Sequence, residues 1–276
     1  MRARSHLLSL AATLTLLTGY AAAHDSWFVP LPRTDRGEVV LALGTGNQFP
    51  VMETSIPLTQ LDRTGCQGEG QQRPAPMRWV ADRPIAVVLR SARPVPAAAA
   101  LTCWAQLRPI DIEIDDATVD IYLQEINASP AVRERWQALR SRGVRWRESY
   151  TKHARIELSA PEPAAAASPA AAPAPVIGLG LDLRLEAPGL PRAGDTLRAQ
   201  LLRDGQPLAG QALELRSDLS PVGIWRQTDA DGRISVTVPL AANWLLRGVE
   251  LRPSEAKLDA WDSRFITLAF EVLPKK

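Results

Sequence analysis

The chain is predicted to be mainly β. An N-terminal β-rich half carries a two-helix insertion, and the C-terminal half forms a β-sandwich of immunoglobulin-like or transthyretin-like type. Three observations predict this. Short apolar runs of period two recur, as in Leu181, Leu183 and Leu185 set against Asp182, Arg184 and Glu186. Turn residues separate these runs, among them Asp204-Gly205 and Asp231-Gly232, both hairpin signals. Only near residues 116–142 does the period become that of a helix.

At the start, Arg2 and Arg4 precede an apolar stretch from Leu7 to Tyr20 and the small residues Ala21-Ala22-Ala23. This is the layout of a secretory signal peptide over residues 1–23. It predicts a periplasmic or secreted protein. No stretch is long and apolar enough to predict a transmembrane segment in the mature chain. The precursor has 32 Lys and Arg against 30 Asp and Glu. Removing residues 1–23 takes two arginines and no acid, so the charge balances. That gives no overall electrostatic reason to bind nucleic acid or a membrane.

Residues 24–159 read as the N-terminal domain. Glu38–Leu43 reads as a strand, followed by a loop from Gly44 to Pro50. That loop has two glycines but no Gly-Lys-Ser/Thr and no helix after it, so a phosphate loop is excluded. Residues 62–76 are rich in Gly, Gln and Pro and read as a loop. Met77–Ala81, Pro84–Arg90 and Leu101–Leu107 read as strands. Cys66 and Cys103 are the only cysteines, and in an exported chain an even pair predicts a disulfide. Closing that loop is worth about 3.8 kcal/mol in the chain-entropy description.

Val119, Tyr122, Leu123 and Ile126 mark one face of a helix that Asp115 or Asp116 can cap. Ser129-Pro130 starts a second helix, with Val132, Trp136 and Leu139 as its buried stripe and Gly143 at its end. The acidic run Asp111, Glu113, Asp115, Asp116 lacks the spacing and glycine of an EF-hand. It reads as a solvated strand face leading into a helix cap. Trp146–Leu158 returns to alternation, with His153 on its polar face. Residues 160–176 are rich in Pro and Ala and read as a linker or an exposed loop. Residues 177–276 then carry about seven short strands, the sandwich. Most tryptophans, including Trp136, Trp225 and Trp244, read as core rather than as sugar platforms.

Several ordered pieces resemble a known family. They are His24-Asp25-x-Trp27-x-x-Pro30, Gly44-x-Gly46-x-x-Phe49-Pro50 and Glu148-x-Tyr150-Thr151-Lys152. Further pieces are Gly205-Gln206-Pro207-Leu208-Ala209-Gly210, Thr228-Asp229-Ala230-Asp231-Gly232 and Trp261-x-Ser263-Arg264-Phe265. Together they resemble the periplasmic domain-of-unknown-function family 4198, historically labelled a nickel-transport component. The resemblance spans the mature chain. It implies an exported β-rich protein that handles metal, with a membrane metal transporter or another envelope protein as partner.

His24 is the sharpest lead. Cleavage after Ala23 would let its α-amine and imidazole chelate one Cu, Ni or Co ion. Cleavage after Ala21 would place His24 third, a square-planar nitrogen site for Cu(II) or Ni(II). His153 is the expected remote ligand, with Asp25 and Glu148 as carboxylate candidates. No Gly-x-Ser-x-Gly or other nucleophile motif is present, so an enzyme is not predicted. The expected function is that of a non-enzymatic metal-uptake or metal-handling accessory. The alternative is an envelope scaffold or adhesion-like sandwich that binds a protein or glycan partner.

Overall fold

The computed structural model describes residues 24–68, 71, 73–95, 100–158, 174–187 and 189–275. Residues 1–23, read from the sequence as a signal peptide, and most of the Pro/Ala segment lie outside the described residues. The first half runs through β1 (Asp25–Leu31), β2 (Val40–Gly46), β3 (Thr54–Ser55), β4 (Leu61–Gly68) and β5 (Met77–Arg83). It continues through β6 (Ala86–Ser91), β7 (Leu101–Leu107) and β8 (Ile110–Ile114). Helices α1 (Asp116–Glu125) and α2 (Pro130–Arg140) lead into the long β9 (Trp146–Leu158). The second half is β10 (Leu181–Leu185), β11 (Thr196–Arg203), β12 (Gln206–Pro207), β13 (Ala212–Ser217) and β14 (Ser220–Gln227). It ends with β15 (Arg233–Thr237), β16 (Ala242–Pro253) and β17 (Trp261–Val272).

One eight-stranded sheet, ordered β14-β13-β16-β17-β9-β7-β4 with β8 also on β9, joins the two halves. Its seam is parallel: β17 pairs with β9 from Trp261 opposite Glu148 to Phe270 opposite Glu157. The halves therefore share a sheet, but not through a hairpin of β9 and β10. Strand β10 lies in a separate sheet with β11, β12 and β15. A third sheet holds β1, β2, β6 and β5, with β3 on β2.

Side-chain alternation assigns the covers. On β17, Ile266, Leu268, Phe270 and Val272 pack with Leu181, Leu183, Ala199 and Leu201 of the β10–β11 sheet. The other parity, Phe265 and Ala269, faces the helices and the β1–β2 sheet respectively. Both helices begin as their sequences predict. Asp115 accepts from Thr118 N at 2.9 Å, and Ser129 caps α2 ahead of Pro130.

Three expectations are corrected. Gly44 and Gly46 continue β2 instead of opening a loop. A Cβ on Gly44 would lie 2.4 Å from the Ile85 carbonyl, so glycine here serves close packing. Residues 61–68 form β4 rather than a loop. Gly65 leaves room for the Trp104 ring, and Cys66 stands opposite Cys103 and is disulfide-bonded to it. These constraints come from β7 and carry no local apolar pattern. Finally, Asp204-Gly205 makes a hairpin with positive φ at both residues, but Asp231-Gly232 does not. It crosses between sheets, because β14 pairs with β13 while β15 pairs with β11.

Candidate functional site

His24 stands just before β1, at a corner built by three elements. Lys152 Nζ on β9 donates to the His24 carbonyl at 2.7 Å. The His24 Nε2 lies 3.8 Å from the Glu53 carboxylate, and these side chains are 28% and 43% exposed. Asn47 Nδ2 donates to the same carboxylate at 3.2 Å. Lys152 also sits over the Tyr150 and Phe265 rings at 5.5 and 5.8 Å. Burial lowers its amine to about 8, partly opposed by the Asp25 charge. At neutral pH it remains mainly an ammonium donor that fixes the His24 backbone.

Asp25 turns inward. Its Oδ2 is 3.0 Å from Arg247 Nη1, and Arg247 Nη2 donates to the Glu125 carbonyl at 3.1 Å. Glu214 approaches the same guanidinium at 3.7 Å and pairs with Arg216 at 2.8 Å. Asp25 is thus ion-paired in the interior, with the Arg247 guanidinium as its partner.

His153 is buried, not solvent-facing. Lys152 points toward β1, so His153, the next residue on β9, points to the opposite face of the sheet. Its Nδ1 donates to the Phe265 carbonyl at 2.9 Å. A carbonyl only accepts, so the neutral ring carries its proton on Nδ1. Burial lowers the ring to about 4, with the Phe265 bond partly opposing. Its Nε2 end packs against Gly180, beside the Arg264 guanidinium.

Glu148 is consumed in a third place. It accepts from Tyr122 Oη at 3.0 Å, from Trp146 Nε1 at 2.8 Å and from Ser263 Oγ. Burial raises its pKa above the ordinary 4.5, although these donors pull the other way. The folded chain therefore keeps this proton to higher pH than the unfolded chain. The stability contribution is complete below the unfolded value and is lost as pH rises through the folded one. Relative to Glu148→Gln, the wild type is expected to lose stability above pH 4.5, at up to ~1.4 kcal/mol per pH unit. Urea denaturation of both proteins across pH checks this. A difference that stays flat with pH would refute it.

The four predicted ligands therefore do not share one coordination sphere. His24 is on the surface, Asp25 is ion-paired, and Glu148 and His153 are enclosed in separate interior networks. Among the described residues no group of three or more His, Cys, Asp or Glu side chains is arranged to hold an ion. The residues that do meet His24 are Glu53 and Lys152. Lys152 lies in one of the quoted motifs, whereas Glu53 sits in a stretch with no motif.

No protein-family model matches the chain, and no curated protein matches it. Among solved structures, a chimeric titin Z1Z2-Z1Z2 tandem functionalized with a fibronectin GRGDS peptide covers 90% of this chain and 100% of its own. It is 9% identical with a TM-score of 0.20, too low to carry an argument.

Proposed function

We propose that the chain is an exported, non-enzymatic accessory that binds one divalent transition ion, Ni, Co or Cu, at the His24 corner. The observation that carries this reading is the partly exposed His24 ring beside the Glu53 carboxylate. His153, in contrast, is buried against a backbone carbonyl. Imidazole nitrogen with a carboxylate suits these ions, and cleavage after Ala23 would add the His24 α-amine. The resemblance to the periplasmic family 4198 supports the same reading, with a membrane metal transporter or other envelope protein as receiver.

The test is native mass spectrometry of the protein purified after export, with Ni(II), Co(II) or Cu(II) added. The spectrum gives both the N-terminus and the bound mass. One ion is expected on a chain starting at His24. His24→Ala should abolish it, and Glu53→Gln should weaken it by roughly tenfold or more. His153→Gln should leave the stoichiometry at one. An ion retained by His24→Ala would refute the site. Absence of any ion would favour the scaffold reading.

A further inference from the structure

The β5–β6 hairpin is exposed in a way its neighbours are not. Five of the seven β5 residues are exposed. Trp79 is 52% exposed, Val80 44%, and Ile85 in the turn between the strands 48%. Such side chains clustered on one hairpin need a reason beyond ordinary surface composition.

Their surroundings are basic. Arg78 and Arg83 are exposed on β5, and Arg73 and Arg93 lie near its base, where Ala92 N bonds the Pro76 carbonyl. None of these four arginines is ion-paired with a carboxylate among the described residues. Arg93 reaches only the Pro74 carbonyl, at 3.5 Å. The hairpin's one acid, Asp82, accepts from Trp79 Nε1 at 3.2 Å. Arg90, on β6, is matched by Glu38 at 3.3 Å. The hairpin therefore combines unpaired guanidinium groups with an amphipathic indole and two aliphatic side chains.

The backbone narrows the choice of partner. Strand β5 is the edge of its sheet, and its pairing with β6 is interrupted by a bulge between Trp79 and Ala81. A bulge bends an edge strand and blunts it against addition of another strand. Pairing with a second copy or an extended peptide is thereby disfavoured. A lipid surface imposes no strand register. Trp settles at the headgroup level of a bilayer, and Arg pairs with phosphate.

We propose that the β5–β6 hairpin docks the protein peripherally on an anionic phospholipid bilayer. The strand meets the bilayer edge-on. Trp79, on the face it shares with Leu89, and Arg78, on the face it shares with Arg90, reach the interface from the two sides of the β5 edge, with Val80 and Ile85 inserting and Arg83 on lipid phosphate. The docking does not depend on an ion at the His24 corner.

The test is co-sedimentation of the full exported chain with vesicles, in the presence of EDTA. One set is phosphatidylcholine alone; the other is equal parts phosphatidylcholine and phosphatidylglycerol. Binding is expected only to the second set and should fall with added salt. Arg78→Gln/Arg83→Gln should lower partitioning about 25-fold, taking about fivefold per arginine. Trp79→Ser/Ile85→Ser should release the protein, while unchanged circular dichroism and melting temperature show that the variants fold. Quenching by brominated lipid should be smaller in Trp79→Phe than in the wild type. Equal binding to both vesicle sets, binding to neither, or undiminished binding by the variants would overturn the proposal. So would a free-solution dimer that Trp79→Ser dissociates, since the hairpin would then be a copy-to-copy interface.

Discussion

Arg155→Ala is expected to destabilise the fold by about 3–5 kcal/mol, the usual loss when one partner of a buried ion pair is removed. The guanidinium is 0% exposed. Its Nε lies 2.8 Å from Glu157, its Nη1 2.8 Å from Asp182, and its Nη2 donates to the Pro175 carbonyl at 2.9 Å. The carboxylates are in turn anchored, Glu157 by Thr102 Oγ1 at 2.6 Å and Asp182 by Ile177 N at 2.9 Å. This network ties β9 of the first half to β10 of the second-half outer sheet. Alanine would leave two carboxylates enclosed without their cation. A triple variant, Arg155→Met/Glu157→Gln/Asp182→Asn, removes all three charges and is expected to recover much of the loss. Urea midpoints of the three proteins check this. A loss under about 1 kcal/mol in Arg155→Ala would mean the carboxylates are solvated or protonated at little cost.

Trp146→Ala is expected to cost a similar amount, about 3–5 kcal/mol for the ring alone. A further ~1–3 kcal/mol comes from leaving Glu148 with one donor fewer. Trp146 stacks on Trp261 at 4.8 Å and meets Trp136 edge-on at 5.1 Å. It is the piece that joins α2 to the central sheet. The expected signature is local: amide exchange in residues 116–140 should accelerate ahead of the rest of the chain. Trp146→Phe keeps much of the ring contact and loses the donor, so it should cost about 1–3 kcal/mol. If alanine loosens the whole chain uniformly, the helices are not the weakly held unit. Both losses are large against a typical total of 5–15 kcal/mol.

Much of this fold was legible because much of it is local. Asp115 and Ser129-Pro130 announce helix starts within four residues, and the alternation of Trp146–Leu158 marks β9 to its ends. Alternation also separated His153, Arg155 and Glu157 from Tyr150, Ala154 and Ile156. It could not say that the polar face would itself be covered. That cover is β10, brought from beyond the Pro/Ala segment, and it turns a solvent-facing set into the enclosed network of Arg155. Strand β4 was hidden for a related reason, since its constraints lie in Trp104 and Cys103 on another strand. At the site, His24 was legible from its place after Ala23. Glu53 was not, because only the β2–β3 pairing carries it to His24. The overall charge balance says nothing about how charge is distributed locally. A chain that balances as a whole still places Arg73, Arg78, Arg83 and Arg93 close together in sequence, none of them ion-paired among the described residues.

The parallel seam between β17 and β9 has a consequence for how the chain matures. Ser263 and Glu148, neighbours across that seam, are 115 positions apart in sequence. Strand β9 of the first half must therefore wait for residues 261–272 before it is paired on that side. Until then β9 lacks its partner on one side, and the aromatic cluster lacks Trp261 and Phe265. The first half cannot finish ahead of the second. The two halves complete one another across that seam, and loss of β17 would leave two incomplete halves instead of one shortened domain.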